Sequence, residues 1–356
     1  MVPPIQDPLL SAGSLVLVTA ANGLIASHIV DQLLHYGYVV RGTVRSLARS
    51  AWMIPLYQTR HPNSHLEVVE ISDITAPGCY DAALKGVSAI IHTAAFNLPV
   101  GVLSDDSSVV QNSIKANLNM LEAAAKANTA GERIQRVVIT SSSWAVNYPK
   151  PNVSMEVTYD TYDDAVVKAL EKPNSPKEAG ALHGPLFTYV ASKIASEKAS
   201  WKWIRDHKDA GFALNSVIPA TCIGPVLAPN EQPYPSTAGF VRCLYEGKNA
   251  EMFGWLDPQW FVDLRDSARL HVAAAVLKGI EGERVFAWAE TYTWPRVAKI
   301  LEETMGTKVP IELKDKGVDL SKPPLERSEA YLKRMGLEGW ESFEEAVKLN
   351  IKSFYP

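Results

Sequence analysis

Leu15-Val-Leu-Val-Thr-Ala-Ala-Asn-Gly-Leu-Ile-Ala26 is a short apolar run followed by a turn of small residues and the start of a helix. In a strand-turn-helix of this kind, backbone N–H groups and the helix N-terminus can bind a diphosphate. The spacing matches the dinucleotide-binding pattern T-G-x-x-G-x-x-G, but alanine replaces glycine at Ala20 and Ala26. Ala26 needs only close packing of helix on strand, whereas the Cβ of Ala20 could crowd the turn or the phosphate. The stretch predicts a weakened phosphate-binding turn, with a turn that binds no ligand as the alternative.

Beyond this turn, short apolar runs alternate with amphipathic segments. Helical patterns run from 22 to 36 and from 109 to 127. Apolar runs typical of buried parallel strands lie at 15–18, 38–44, 66–69, 89–92, 137–140 and 214–218. This alternation predicts an α/β fold with a Rossmann-type, doubly wound parallel sheet. Cofactor and substrate would then bind beyond the carboxyl ends of the strands.

Composition and charge limit the class of partner. The 356 residues are 47% hydrophobic and 21% charged, with a formal net charge of −4, which is typical of a globular protein and offers no basic surface for nucleic acid. The N-terminus lacks signal-peptide features and no apolar run reaches membrane-spanning length, so we expect a soluble, cytoplasmic protein without a membrane partner. The three widely spaced cysteines indicate neither a disulfide framework nor a metal site.

Tyr189-Val-Ala-Ser-Lys193 combines a phenol with a cation four residues later in a predicted helix from 186 to 206. Residues at this spacing project from one helix face. A free phenol has a pKa of about 10, and a nearby ammonium favours the phenolate and lowers that value. The pair is therefore a candidate general acid. Because chance alone produces such pairs in a chain of this length, the surrounding motifs decide its interpretation.

Five segments share the order and spacing of one enzyme family. They are Thr19–His28, Thr140-Ser-Ser142, Tyr189-x-x-x-Lys193, Pro219–Pro225 and Phe261–His271. Through them the chain resembles the extended short-chain dehydrogenase/reductases. The resemblance is strongest to the branch of yeast and fungal NADPH-dependent carbonyl reductases, which is related to the plant dihydroflavonol and cinnamoyl reductases. It extends from about residue 13 to the C-terminus.

The resemblance assigns the catalytic residues. It implies that Tyr189 protonates the substrate oxygen, that Lys193 lowers the pKa of the phenol and holds the nicotinamide ribose, and that Ser142 orients the carbonyl. Ser141 and Ser143 are close enough in sequence for the serine assignment to shift by one position. Hydride has to come from the cofactor, because no side chain supplies one. No metal is required.

The end of the second predicted strand indicates which cofactor is used. NAD enzymes place an acid there for the ribose diol, whereas NADP needs a cation for its 2′-phosphate. No acid occurs between Tyr38 and Ile54, so we expect Arg45, with Ser46 or Arg49, to bind the phosphate of NADPH; a solvated surface arginine is the alternative. The resemblance extends the predicted cofactor site to Thr19, Ala21, Asn22, Gly23, Leu24, Ile25, Arg45, Ser46, Asp73, Ile74, Thr93, Ala94, Ala95, Thr140, Ser141, Tyr189, Lys193, Pro219, Thr221, Ile223, Ser236 and Thr237.

Two domains are expected from the same pattern. Residues 1–220 should form mainly the NADP-binding domain, with 145–185 as a flap over the cleft, and 221–356 mainly a smaller substrate lobe that returns segments to the sheet. Aromatic side chains predict an apolar substrate pocket, although core packing is the alternative for each ring. The pocket candidates are Phe96, Ser143, Trp144, Phe240 and Trp260. Phe240 is favoured, because its position after Ser236–Gly239 matches a pocket residue of the resembling reductases.

These features predict an NADPH-dependent carbonyl reductase that acts on ketones and aldehydes, such as aryl ketones and β-ketoesters. One alternative is an NAD-retaining nucleotide-sugar epimerase or dehydratase of the same superfamily, against which the arginine at position 45 argues. The other is a non-catalytic NADP-sensing regulator, against which the intact Ser142, Tyr189 and Lys193 argue. The sequence is compatible with both a monomer and a homodimer.

Overall fold

The computed structural model of this chain describes residues 5–95, 108–171, 184–234 and 236–354. The strands in chain order are β1 (Leu15–Val18), β2 (Val39–Val44), β3 (Leu66–Glu70), β4 (Ala89–His92), β5 (Arg136–Thr140), β6 (Ser154–Glu156), β7 (Ala213–Pro219), β8 (Thr221–Ile223), β9 (Gln259–Asp263), β10 (Arg284–Ala287), β11 (Glu290–Tyr292) and β12 (Leu320–Lys322). The predicted strands and helices match these elements to within about two residues.

The helices fall between the strands as the sequence pattern predicts. They are α1 (Leu24–His35), α2 (Met53–Arg60), α3 (Ser108–Thr129), α4 (Ser143–Val146), α5 (Asp164–Glu171), α6 (Gly184–Asp206), α7 (Ala238–Glu246), α8 (Ala250–Trp255), α9 (Leu264–Val276), α10 (Trp294–Met305), α11 (Glu326–Arg334) and α12 (Phe343–Lys352). Two short 3-10 turns, Ala48–Ser50 and Asp81–Leu84, complete the regular structure of the described residues.

Seven parallel strands form the central sheet in the order β10-β7-β5-β4-β1-β2-β3. The predicted doubly wound α/β sheet is therefore confirmed. The chain runs outward from β1 through β2 to β3, and then returns to place β4 on the opposite side of β1. This reversal opens a crevice beyond the carboxyl ends of β1 and β4, where ligands bind in such sheets.

Both faces of the sheet are covered, which explains why its strands are apolar throughout rather than alternating. Val16 and Val18 point into a core shared with α1 and α9, while Leu17 between them points into a second core with α3 and α6. All three side chains are completely buried. The alternation along β1 thus holds one helical layer on each side of the sheet.

A second group of elements lies beyond the carboxyl edge of the sheet. Strands β11, β9 and β8 form a three-stranded sheet, and β12 pairs with β6. The segment after β5 is thereby tied to the C-terminal part of the chain, with Met155 opposite Ser321. β10 lies in the central sheet beside β7, so the chain returns to that sheet before entering α10.

Within the described parts of the chain, no helix is both long and apolar enough to cross a membrane. The same residues contain no cluster of three or more histidine, cysteine, aspartate or glutamate side chains arranged to hold a metal ion.

Candidate active site

The turn after β1 is tight and adopts a left-handed conformation at Ala20, whose φ is 49°. The N–H of Gly23 donates to the carbonyl of Ala20 at 2.8 Å, which closes the turn in front of α1. Gly23 caps α1 without a side-chain hydrogen bond. Among the described residues, the N–H groups of Leu24 and Ile25 find no acceptor. The start of α1 therefore presents free donors to the crevice beyond β1 and β4.

Gly42, in the middle of β2, lets this turn lie close against the sheet. The N–H of Ala21 donates to the carbonyl of Thr43 at 2.9 Å. A Cβ on Gly42 would lie 2.7 Å from the Cβ of Ala21, which is too close for two carbon atoms. A glycine inside a predicted strand indicates such close backbone approach, although the sequence did not show its partner.

Replacing Ala20 by glycine should stabilise the protein. A left-handed conformation costs an L-residue about 1–2 kcal/mol, and the greater freedom of glycine in the unfolded chain offsets part of that gain. We expect the free energy of unfolding of Ala20→Gly to rise by about 0.5–1 kcal/mol, measured by urea denaturation. Ala26→Gly is the matched control, because Ala26 lies inside α1 and glycine there should lower stability by about 0.5–1 kcal/mol. A loss of stability in Ala20→Gly would contradict this account.

Thr19 joins the carboxyl ends of β1 and β4. Its hydroxyl accepts the N–H groups of Thr93 and Ala94, each at 3.0 Å, and donates to Nδ1 of His92 at 3.0 Å. The Thr93 hydroxyl in turn donates to the carbonyl of Thr19. His92 is consequently neutral with its proton on Nε2, and burial lowers its pKa to about 3. These bonds hold the two strands together at the position where their order reverses.

Arg45 and Asp73 follow β2 and β3, at the same edge of the sheet. Arg45 is exposed, and its guanidinium makes no hydrogen bond or ion pair with any residue that the structure describes. Arg41, in contrast, donates to Glu67 and to two backbone carbonyls. The exposed carboxylate of Asp73 accepts the N–H and hydroxyl of Thr75, at 2.8 and 2.6 Å. Arg45 thus remains available to an external anion.

Ser142 and Tyr189 meet beyond the carboxyl end of β5. Ser142 caps the short helix α4, where its hydroxyl accepts the N–H of Trp144 at 3.3 Å. The same hydroxyl lies close enough to the phenol of Tyr189 to favour its ionised form. Burial raises the pKa of that phenol, and the Ser142 hydroxyl opposes the rise. The lowered pKa expected of Tyr189 is therefore not found in this structure, because desolvation outweighs the groups that favour the phenolate.

Lys193 lies one turn further along α6 and is buried. Its Nζ donates to the carbonyl of Thr140 at 3.1 Å, at the last residue of β5. Burial lowers the pKa of the ammonium to about 8, while the charge of Glu197 raises it. The hydroxyl of Thr140 donates to Nε2 of His271 at 2.9 Å, whose Nδ1 donates to the carbonyl of Ser267. A phenol, a hydroxyl and an ammonium therefore converge at one strand end, a combination that can deliver a proton to a substrate oxygen.

Comparison with known proteins identifies the family. A model of the NAD dependent epimerase/dehydratase family matches residues 16–286. The chain belongs to this family. It is 35% identical to Aldehyde reductase 2 of Sporidiobolus salmonicolor over 345 residues, covering 97% of both chains. It is 33% identical to Ketoreductase adrE of Penicillium rubens over 351 residues, covering 97% of this chain and 98% of that protein.

Solved structures show the same fold. The structure of yeast methylglyoxal/isovaleraldehyde reductase Gre2 complexed with NADPH matches this chain with a TM-score of 0.75 at 20% identity, covering 95% of this chain and 97% of that one. Vestitone reductase from alfalfa matches with a TM-score of 0.69 at 19% identity, covering 95% and 97%. The predicted membership of the extended short-chain dehydrogenase/reductases, in the branch of the fungal carbonyl reductases, is confirmed by the family match and the curated relatives.

In this member of the epimerase/dehydratase family, Trp144 packs beside Tyr189. Its ring lies edge-on to Tyr189, with centroids 6.1 Å apart and planes at 85°. Its indole N–H donates to Oε1 of Gln259 at 2.9 Å, and the Thr221 hydroxyl donates to the same oxygen at 2.8 Å. Gln259 was missed in the sequence because a polar residue at the start of a short strand carries no signal of its own. The neighbouring candidate Ser143 is buried in the first turn of α4.

The other pocket candidates lie deeper in the C-terminal part of the chain or outside the described residues. Phe240 is only 7% exposed and packs edge-on against Trp294, with centroids 6.0 Å apart. Trp260 donates its indole N–H to the Ser321 hydroxyl at 2.9 Å and packs against Trp288. Phe96 lies outside the described residues. Among the aromatic candidates in the described residues, Trp144 is thus the one that lies against Tyr189.

Residues predicted at the remaining cofactor positions surround the same edge of the sheet. Pro219 ends β7, and Thr221 and Ile223 are buried in β8. The Thr237 hydroxyl donates to the carbonyl of Cys222 at 2.6 Å, and Ser236 beside it has a φ of 55°. The remaining predicted cofactor residues each follow one of the first five strands. In the order of β1 to β5 they are Asn22, Ser46, Ile74, Ala95 and Ser141.

Gln232 connects the loop after β8 to the turn between β1 and α1. Its buried side-chain amide donates to the carbonyls of Asn22 and Gly23, at 2.8 and 3.3 Å. The contact joins residues more than 200 positions apart, so no local pattern in the sequence could have predicted it. Glu197 is different, since it repeats the four-residue spacing of Tyr189 and Lys193 and was overlooked despite that signal.

Proposed function

We propose that this chain is an NADPH-dependent carbonyl reductase that converts ketones and aldehydes to alcohols, with aryl ketones and β-ketoesters as the substrate class. The observation that carries the proposal is the convergence of Ser142, Tyr189 and Lys193 at the end of β5, where the Ser142 hydroxyl acts on the pKa of the phenol and Nζ of Lys193 lies 3.1 Å from the carbonyl of Thr140. Its curated relatives at about one-third identity are named as an aldehyde reductase and a ketoreductase, which supports carbonyl reduction.

The cofactor residues of this chain fit NADPH. The uncapped start of α1, with the free N–H groups of Leu24 and Ile25, is suited to the diphosphate. The guanidinium of Arg45 is exposed and has no carboxylate partner among the described residues, so it is available to the 2′-phosphate. A ribose diol would instead call for an acid after β2, and none occurs between Tyr38 and Ile54.

The reaction follows from the positions of the catalytic side chains. Bound NADPH supplies the hydride that is added to the carbonyl carbon. Ser142 donates a hydrogen bond to the substrate oxygen and fixes its orientation beside Tyr189. Tyr189 transfers its phenolic proton to that oxygen, so the carbonyl gains one hydride and one proton. The Lys193 ammonium stabilises the resulting phenolate by its charge and holds the nicotinamide ribose.

The substrate lies against an apolar wall. Trp144 packs nearly perpendicular to the Tyr189 ring and is held in place by Gln259, so a flat aryl group can pack beside the reacting carbonyl. This arrangement supports aryl ketones over charged sugars as substrates.

A substrate screen tests the proposal. Purified protein should consume NADPH when it is mixed with aryl ketones, β-ketoesters, aldehydes or dihydroflavonols. The loss of NADPH absorbance measures this consumption. NADH should support slower turnover. Tightly copurifying NAD together with no net cofactor consumption would instead indicate the epimerase or dehydratase type of reaction and contradict the proposal.

Arg45→Gln tests the cofactor preference. Loss of a charge-assisted hydrogen bond, worth about 1.5–3 kcal/mol, should weaken NADPH binding about 10- to 100-fold. The affinity for NADH should hardly change, because it lacks the 2′-phosphate. Both constants can be measured from nicotinamide fluorescence. Arg41→Gln is the control from the adjoining strand β2, since the Arg41 charge is already paired with Glu67. Equal losses for NADPH and NADH would refute the assignment.

A further inference from the structure

Glu197 continues the catalytic face of α6, one turn after Lys193 and two turns after Tyr189. Its side chain is 1% exposed. Oε2 accepts the hydroxyl of Ser141 at 2.6 Å, and Oε1 accepts the hydroxyl of Ser216 at 2.8 Å. A carboxylate this deeply buried is costly unless it is paired and hydrogen-bonded. Its contacts therefore connect α6 to the residue that follows β5 and to the middle of β7.

Arg284, the first residue of β10, balances this charge. Its Nε lies 2.8 Å from Oε1 of Glu197, and its Nη2 lies 3.2 Å from Oε2. Nη1 donates to the backbone carbonyls of Tyr159 and Thr161, at 2.8 and 2.9 Å. The guanidinium thus joins the segment after β6 to the carboxylate that follows the catalytic lysine.

We infer that Glu197 is a positioning residue for the reduction: it keeps Lys193 in the charged form that the reaction uses, and it holds Ser141 so that Ser142 faces Tyr189. The inference rests on the proposed function. Glu197 itself is placed away from the substrate, because its oxygens are occupied by Ser141, Ser216 and Arg284. Its effect is transmitted through the neighbouring catalytic residues.

The charges around Lys193 explain why Glu197 has this influence. Nζ of Lys193 faces the carbonyl of Thr140 on β5. His92 on β4 and His271 on α9 also lie within electrostatic range, but burial lowers their pKa values to about 3 and about 4, so both are neutral near pH 7. Among the acidic groups of the described residues, Glu197 is the one whose charge supports the ammonium.

The direction of the pH effect follows from these charges. Burial lowers the pKa of Lys193 to about 8, and Glu197 opposes that change. Because the reaction uses the ammonium, turnover should decline as the pH rises through this value. Removing the carboxylate lowers the pKa further, so the decline should occur at lower pH.

Glu197→Gln is the direct test, because it removes the charge and keeps the length of the side chain and one of its two oxygens, which accept separately from Ser141 and Ser216. The basic limb of the kcat/KM profile for a ketone should move down by about one pH unit. The ratio of kcat/KM near pH 6 to that near pH 8 should consequently rise about five-fold over the wild type. Ser216→Ala is the matched control, since it removes one hydrogen bond to Glu197 and leaves the charge; its basic limb should not move.

Two further variants keep the test decisive if Glu197→Gln folds poorly. Glu197→Gln combined with Arg284→Gln removes both buried charges and should show the same displaced limb. Glu197→Asp restores the charge and should return the limb toward that of the wild type. An unmoved limb in a folded variant that lacks the carboxylate overturns the inference, because a purely structural role would lower stability without changing the titration.

The outcome is distinguishable from a failure of the proposed function. If the wild-type protein reduces no carbonyl compound, NADPH affinity can be measured by fluorescence across the same pH range. This affinity reports on the charge of Lys193, because the proposed function places its ammonium against the nicotinamide ribose. A displaced affinity profile in Glu197→Gln then supports the inference, and an unchanged one contradicts it.

Discussion

Tyr189→Phe should lower turnover of a model ketone by about 10²- to 10⁴-fold, the usual contribution of a positioned general acid. Phenylalanine keeps the ring that lies edge-on to Trp144 but removes the proton that the substrate oxygen receives. NADPH affinity should change little, because the proposed phosphate contacts, at the start of α1 and at Arg45, do not involve the phenol. Single-turnover NADPH oxidation and a fluorescence titration measure the two quantities separately.

Tyr148→Phe is the matched control for this experiment. The Tyr148 ring also packs edge-on to Trp144, with centroids 5.6 Å apart, but it has no bond to Ser142. The control should keep most of the wild-type turnover. Substantial reduction of ketones by Tyr189→Phe would refute the assignment of Tyr189 as the proton donor.

Arg284→Met should destabilise the protein by about 3–5 kcal/mol at neutral pH, the cost of leaving a buried charge without its partner. In the wild type, burial raises the pKa of Glu197, but the Arg284 guanidinium and the hydrogen bonds from Ser141 and Ser216 outweigh it and hold the pKa below its usual value. The ion pair therefore contributes stability above the usual titration range of a carboxylate, and this stability is lost as the pH falls through the lowered pKa.

The variant should respond to pH in the opposite way. Without Arg284, burial dominates and raises the pKa of Glu197, so protonation relieves the buried charge. The deficit in the free energy of unfolding should thus be largest near pH 7 and shrink as the pH falls. Urea denaturation at several pH values measures it. Lys202→Gln provides the control on the same helix, because its pair with Asp206 is exposed and worth at most about 1 kcal/mol. Equal effects of the two substitutions would contradict the importance of burial.

Local sequence patterns predicted much of the fold and the chemistry of the candidate site. The apolar run at 15–18 and the small residues after it define a strand, a turn and a helix through interactions between neighbouring residues. The Tyr189 and Lys193 side chains share a helix face because of the 3.6-residue period. Such features depend on residues close in sequence, which is why they could be recognised without coordinates.

Other features needed the tertiary structure. The sequence predicted that Lys193 lowers the pKa of Tyr189, whereas burial raises it, and burial depends on how the helix packs against the sheet and α4. The pairing of Glu197 with Arg284 joins residues 87 positions apart. The close approach of Gly42 to Ala21 joins the middle of β2 to the turn that follows β1.

The sequence by itself determined the α/β alternation and the strand-turn-helix at its start, and it predicted a phosphate-binding turn there and Ser142, Tyr189 and Lys193 as catalytic candidates. The tertiary structure decided their environment: the left-handed backbone at Ala20, the desolvation of Tyr189 and Lys193, and the buried carboxylate behind them. The physical reason is that residue type and spacing set local conformation, while desolvation and charge pairing arise only when distant segments pack together.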